Sequence, residues 1–313
     1  MFRPATGAHA AVARLELEAG VADIELRNLH FPNGWTLGPA DDGVPARNVV
    51  FRRTTGARFT VQNGRRITIV GGSYGPSLDA PSQIKTYNPE SRRMPVDITV
   101  SGVRFHDYSR SDDSVHTECL QVYAGQRVVI RNSRFTRCDG TGALALTTLS
   151  GTTLRRVIVE NNWFDETGDA YDAVQADGSV RDLLFRYNSA TKSVIFTGCE
   201  DGPCGPARVV ANYLPYNPSL CQSGVSYSHN VLAGGRCGGT DVAVHRLSFV
   251  DARGFDLHLT PSSAARCRGA RDDFPARDID GQRRPRRYRA DAGADQLTGT
   301  RGGPSVPRRC RVR

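Results

Sequence analysis

RVVIRNSRF at Arg127–Phe135 and RVIVENNWF at Arg156–Phe164 decide the fold. Each reads apolar-x-apolar, then two or three small or polar residues, then an aromatic. The same order precedes them as RITIVGGSY (Arg66–Tyr74) and DITVSGVRF (Asp97–Phe105), and more loosely as ADIELRNLHF (Ala22–Phe31) and NVVFRRTT (Asn48–Thr55). It follows them as DLLFRYNSA (Asp182–Ala190), RVVANYL (Arg208–Leu214) and VSYSHNVL (Val225–Leu232). The last apolar residue before each polar turn is Leu26, Phe51, Ile69, Val100, Ile130, Val159, Phe185, Val209 and Tyr227, an average step of about 25 residues. A strand of three to five residues with period-two alternation cannot bury its inner face alone. Stacking equivalent strands in parallel, about 4.8 Å apart, pairs the backbone of each coil with its neighbours and aligns the inward side chains in columns. The sequence therefore predicts an all-β, right-handed parallel β-helix of roughly nine coils over residues 21–262. Residues 263–313 are expected to form a closing segment and an irregular, partly disordered Arg-rich tail.

Two columns are specific enough to name. Asn162, Asn188, Asn212 and Asn230 each fall three residues after an anchor, where asparagine suits a sharp left-handed turn and can bond from coil to coil. Five residues after the anchors stand Phe31, Tyr74, Phe105, Phe135, Phe164, Leu214 and Leu232, an inward apolar stack. A further strand column follows in the middle coils. There Leu120 and Val122, Leu144 and Leu146, Val174 and Ala176, and Val194 and Phe196 are expected to point inward. Gln121, Ala145, Gln175 and Ile195 then point outward, with Cys119, Ala143, Ala173 and Ser193 as small outward neighbours. That pattern describes a shallow outer groove able to take a polymer.

The formal charge of +9 sits mostly at one end. From residue 264 onward there are fourteen arginines, no lysines and six aspartates, so the preceding chain is nearly neutral. The body has no aromatic-plus-basic stripe to stack bases, which argues against specific nucleic-acid binding. No apolar run approaches the ~18 residues of a membrane span. The N-terminus, MFRPATGAHAAVARLELEAG, shows no apolar core of a signal peptide and reads as a start that has lost its leader.

Eight cysteines suit an oxidising compartment. Local candidates for pairing are Cys221 with Cys237, Cys119 with Cys138, and Cys199 with Cys204; buried free thiols are the alternative. No paired C-x2-C knuckle favours zinc.

HTECLQVYAGQRVVIRNSRFTRCDG (His116–Gly140), ENNWFDETGDAYDAVQ (Glu160–Gln175) and the tail pieces GFDLHLTPSSAA, PARDIDGQRRP and DAGAD resemble the secreted bacterial right-handed parallel β-helix repeat proteins of the pectin-lyase-like superfamily. The resemblance spans about Ile24 to Gln296. It implies a secreted or cell-surface protein that binds or processes polysaccharide, as a polysaccharide lyase or glycoside hydrolase if it is an enzyme. The alternative is a non-catalytic carbohydrate-binding, adhesive or structural surface protein. The chain departs from the hydrolase motif set, keeping only Asp112-Asp113 as an echo, and it lacks the epimerase DPHD motif.

Polar residues concentrate in the loops before the middle-coil strands. Asp113, His116, Glu118 and Asp172 are the catalytic candidates, as paired carboxylates with an imidazole base. Asp112, Gln121, Asp139, Asp169 and Gln175 are the substrate-binding candidates. The same carboxylates, with Glu166, could instead hold Ca²⁺, or serve only as turn residues. Tyr108, Tyr171 and Trp163 are candidate sugar-stacking rings. The partner expected is a polysaccharide or cell-surface glycan.

Overall fold

The computed structural model describes residues 1–3, 10–38, 43–86, 93–139, 142–149, 151–165, 172–198, 204–285, 289–297 and 310. Within them the chain winds as a parallel β-helix with three faces. The first face carries Ala22–Arg27, the leading parts of Arg47–Gly56 and Arg65–Tyr74, Val96–Ser101, Gly125–Arg131, Leu154–Glu160, Arg181–Arg186, Ala207–Val210 and Val225–Ser228. The second face turns sharply off the first and carries, among others, Leu29–Phe31, Arg104–Ser109, Arg134–Cys138, Trp163–Asp165, Tyr213–Pro215 and Val242–Val244. The third is a separate eight-stranded parallel sheet from Leu15–Leu17 to Val194–Thr197.

All nine anchors fall in one register, Leu26 opposite Phe51 and so on coil by coil to Tyr227. The expected inward stack is fully buried, with Phe105 over Phe135 at 4.8 Å and Phe135 over Phe164 at 4.9 Å between ring centres. Gly56 stands in register between Phe31 and Tyr74, where a Cβ would lie 2.4 Å from the Phe31 carbonyl oxygen, so that coil has no side chain to contribute. Trp35 fills the space, stacked at 3.7 Å on Phe51 and donating its indole N–H to the Tyr74 hydroxyl at 3.0 Å.

The asparagine column is a ladder, with one change from expectation. The left-handed residue is the one before each ladder asparagine: Asn161, Tyr187, Ala211 and His229, at φ 53–60°. The ladder residues then turn inward. Asn162, Asn188 and Asn212 each donate their backbone and side-chain N–H to the side-chain oxygen of the next rung, at 2.9–3.1 Å. Each also donates to a carbonyl one coil back, as Asn188 does to Val159 at 2.9 Å. Asp241 ends the run as an acceptor for Asn230. Buried amides are tolerated because every rung is satisfied.

Three of the four small residues before the third-face strands do not face out, and the fourth, Ser193, is half-buried. Cys119, Ala143 and Ala173 are buried, because alternation begins only at the strand and the turn leading into it keeps its last residue inside. Cys119 bridges Cys138 there, with Cα atoms 5.5 Å apart. Cys221 bridges Cys237, Cys267 bridges Cys310, and Cys204 is disulfide-bonded; Cys199 lies outside the described residues.

After Val242–Val244 the chain leaves the coil. It forms an antiparallel pair, Phe249–Asp251 with Asp256–Leu259, and residues 261–285 and 289–297 then lie along the outside of the second face. Arg284 anchors this cover. It is buried over the Tyr187 ring, with its guanidinium donating to the Asn161 side chain (2.9 Å) and to the carbonyls of Asp291 (3.1 Å), Gly293 (2.9 Å) and Ala294 (3.1 Å).

Candidate functional site

The loop before Leu120–Val122 spreads its polar groups apart. Asp112 is exposed and accepts the Ser114 N–H at 2.7 Å, a local turn whose hydrogen bonds from Ser114 lower its carboxyl pKa. Asp113 is 95% exposed and pairs with Arg110 at 2.9 Å. His116 is exposed, and its carbonyl accepts the Gln121 amide at 3.3 Å. Glu118 is buried and accepts a short hydrogen bond from the same amide. Gln121 in turn accepts from Gln83, its register partner one coil earlier, at 2.9 Å. Tyr123 lies beside this group, its hydroxyl pushed up to about 12 by burial and then by the Glu118 charge.

Of the other candidates, Asp139 is half-buried with its N–H on the Tyr108 carbonyl at 2.8 Å. Asp172 is half-buried, and burial raises its carboxyl pKa against the pull of Lys192. Gln175 is exposed and reaches Thr197 at 3.4 Å. Asp169, Glu166 and Tyr171 lie outside the described residues. The structure thus gathers Glu118 and Gln121 with Gln83, which the sequence reading did not single out, and leaves Asp112 and Asp113 with local partners of their own. Tyr108 and Trp163 are not sugar platforms. The Tyr108 ring is in the core with its hydroxyl 2.8 Å from Ser82, and Trp163 lies under the C-terminal cover.

The open surface of the third face lies nearer the N-terminus, as a groove of about 820 Å³. Its floor is the outward row Thr36, Thr60 and Gln83, one residue per coil, with Gln62 and Lys85 two positions on. Gly38, in left-handed conformation, presses so close to the Gln62 carbonyl that a Cβ would sit 1.9 Å from its oxygen, which keeps this end of the floor free of a side chain. Three of the six wall charges have partners: Arg14 pairs with Glu16 at 2.5 Å, and Asp79 accepts from Ser111 twice at 2.6 Å. Arg58 and Lys85 have no ion pair among the described residues. Burial first, and then the Arg58 charge, lower the Lys85 pKa. Two neighbouring cations without an ion pair can take an anion, with Glu18 as the remaining carboxylate of the same wall.

A second groove, of about 800 Å³, opens at the start of the first face and is lined by Arg47, Arg65, Arg66, Arg93, Arg127 and Arg155, with Asp97 as the one carboxylate among its lining residues. The near-neutral sum of the body hides this strip. Its signal was present in the first letters of the repeats: Arg66, Asp97, Arg127, Arg156 and Asp182 open five copies, and all five take positive φ.

For a metal, the ligand atoms of His258, Asp280 and Asp295 lie within 4.8 Å of one another. Both imidazole nitrogens already face Asp256 and Asp280, and Arg134 pairs with Asp280 at 2.8 Å, so these two carboxylates have cationic partners, while Asp295 accepts the Leu259 N–H at 2.8 Å.

Among known proteins, no family model and no curated protein matches the chain. Among solved structures, the surface protein and adhesin PfbA of Streptococcus pneumoniae is similar. It is 14% identical, the match covers 80% of this chain and 73% of that one, and the TM-score is 0.44. No helix among the described residues is long and apolar enough to cross a membrane.

Proposed function

We propose that this is an extracellular, pectin-lyase-like β-helix protein that binds an acidic polysaccharide along the N-terminal half of its third face without cleaving it. One observation carries the reading: Arg58 and Lys85 stand without a carboxylate partner among the described residues, beside a floor of hydroxyls and amides one coil apart. Hydroxyls and amides suit sugar hydroxyls, and the two cations suit a uronate. The disulfides fit an oxidising compartment. Hydrolysis would call for two carboxylates flanking one bond, and Asp113 and Glu118 have separate partners.

The test is a panel of acidic and neutral polysaccharides, read by calorimetry together with product release. An acidic polymer should bind, and R58A/K85A should weaken it about tenfold or more, the equivalent of ~1.4 kcal/mol. Equal binding by the double variant, or release of unsaturated or reducing ends abolished in E118Q, would overturn the reading.

A further inference from the structure

The corner between the first and second faces carries a constellation that the glycan reading does not use. Gly71-Gly72-Ser73-Tyr74-Gly75 spells G-x-S-x-G, the pattern that exposes a nucleophilic serine on a tight turn. Here the turn joins two strands. Gly72 has φ +96°, and a Cβ on it would lie 1.9 Å from the Thr54 carbonyl oxygen; a Cβ on Gly75 would lie 1.7 Å from that of His106. The two glycines therefore let the serine coil press against its neighbours. Across the gap, His106 Nε2 lies 2.8 Å from Ser73 Oγ, and His106 Nδ1 lies 2.6 Å from Asp107 Oδ2.

We propose that Ser73, His106 and Asp107 form a serine-hydrolase centre that removes small acyl groups from ester-bearing substrates. Asp107 accepts a hydrogen bond from Nδ1–H and so leaves the Nε2 lone pair facing the serine hydroxyl. Arg137 pairs with Asp107 and holds its carboxyl at about 2, so it stays ionised while the imidazole works. The Ser73 and His106 side chains are partly exposed, which leaves the pair reachable. Arg104 stands in register with Ser73 on the next coil, is exposed, and has no ion pair among the described residues; it is the cation assigned to a developing oxyanion. The outward neighbours Thr55, Arg104 and His106 are polar, so a long acyl chain would find no apolar cover, which points to acetyl-sized groups.

The chemistry balances within these groups. Ser73 Oγ bonds to the ester carbonyl carbon while its proton passes to His106 Nε2. The C–O bond to the alcohol then breaks, and His106 returns the proton to the departing alkoxide. Water, deprotonated by His106, attacks the acyl-serine, and serine and carboxylic acid are released.

The test uses the full chain with p-nitrophenyl acetate and, separately, a fluorophosphonate followed by mass spectrometry of the digest. One adduct is expected, on Ser73. S73A should abolish turnover, H106N should slow it about 100-fold or more, and D107N should slow it with a changed pH profile. R104A should slow it about tenfold or more. Circular dichroism confirms that each variant is folded. If S73A does not fold, S73C keeps the volume and should be alkylated faster with His106 present than in the S73C/H106N double variant. No adduct at Ser73, turnover unchanged in S73A, or alkylation of S73C indifferent to His106 would each overturn the proposal. Every readout is independent of glycan binding, so its failure is separable from failure of the third-face reading.

Discussion

A single outward row on the second face divides the molecule into two regions. In register, coil by coil, it reads His30, Thr55, Ser73, Arg104, Arg134, Trp163, Ser189, Tyr213, Val231 and Val242. From Trp163 onward the row is mostly apolar and lies under the C-terminal segment: Trp163 against Leu257, Tyr213 and Val231 against Leu259, Ala265 and Ala292. Before Arg134 it is polar, and His30 and Ser73 make hydrogen bonds within the coils at 2.8 Å. Arg134 marks the border, its guanidinium 4.2 Å over the Trp163 ring and paired with Asp280 of the cover. Large apolar groups on the outside of a solenoid need something to bury them. Their presence on one half predicts the cover, and their absence from the other leaves a surface free for chemistry.

Arg284 offers the most forceful way to break this asymmetry. R284A would remove four hydrogen bonds to the cover and the ladder turn, and would leave Asp278, Asp291 and Asp295 without their shared cation. Removing one partner of a buried charge network typically costs about 3–5 kcal/mol. Denaturant unfolding should show a loss of that size, and hydrogen exchange should quicken across 249–297 while coils 22–109 keep their protection. R104A, at the bare end of the same row, should change stability by less than about 0.5 kcal/mol. Equal effects of the two would erase the distinction between the halves.

The turn row inside the same corner is divided in parallel. From the N-terminal end it holds Thr54, Gly72, Val103 and Ser133; Asn162, Asn188, Asn212, Asn230 and Asp241 follow. N188A would strand the Asn162 N–H and the Val159 carbonyl in the core, at a cost of about 2–3 kcal/mol. S133A leaves the Val103 N–H without its 3.2 Å acceptor and should cost about 1 kcal/mol. Chemical denaturation of the two variants side by side measures the difference.

The coil register was legible because every coil must place an apolar residue at the same inward position, so nine anchors could be aligned by eye. The third-face strands Leu15–Leu17, Trp35–Leu37, Phe59–Gln62 and Ser82–Lys85 were not singled out. Each offers only two inward residues, and Ser82 is polar, satisfied by the Tyr108 hydroxyl. Candidate chemistry was less legible still. Loop carboxylates such as Asp112 and Asp113 cluster in sequence because they close turns and local ion pairs, and proximity along the chain does not make them converge. Ser73 and His106 are 33 residues apart and meet only once Arg104 is known to lie opposite Ser73. Arg58 and Lys85 likewise become neighbours only through stacking.

A finer division concerns pH, because the cover is tied down in part by a titrating group. His258 stands edge-on to Trp163 at 4.8 Å, with Asp256 on Nδ1 and Asp280 on Nε2 at 2.6 Å. The Asp280 and Asp256 carboxylates raise its pKa to about 9, against the opposing effect of burial. The protonated form is therefore favoured by folding. Its contribution is complete below the ordinary imidazole value near 6.5 and is lost as pH rises through about 9. His258 is partly exposed, so solvent screening limits the gain to about 0.5–1 kcal/mol. H258N should accordingly melt below the wild type at pH 6 and together with it at pH 10. Exchange protection of Asp256–Leu259 should follow the same course, with the bare coils indifferent to pH across that window. A difference that persists at pH 10 would mean that His258 holds the cover by ring packing on Trp163, with charge playing no part.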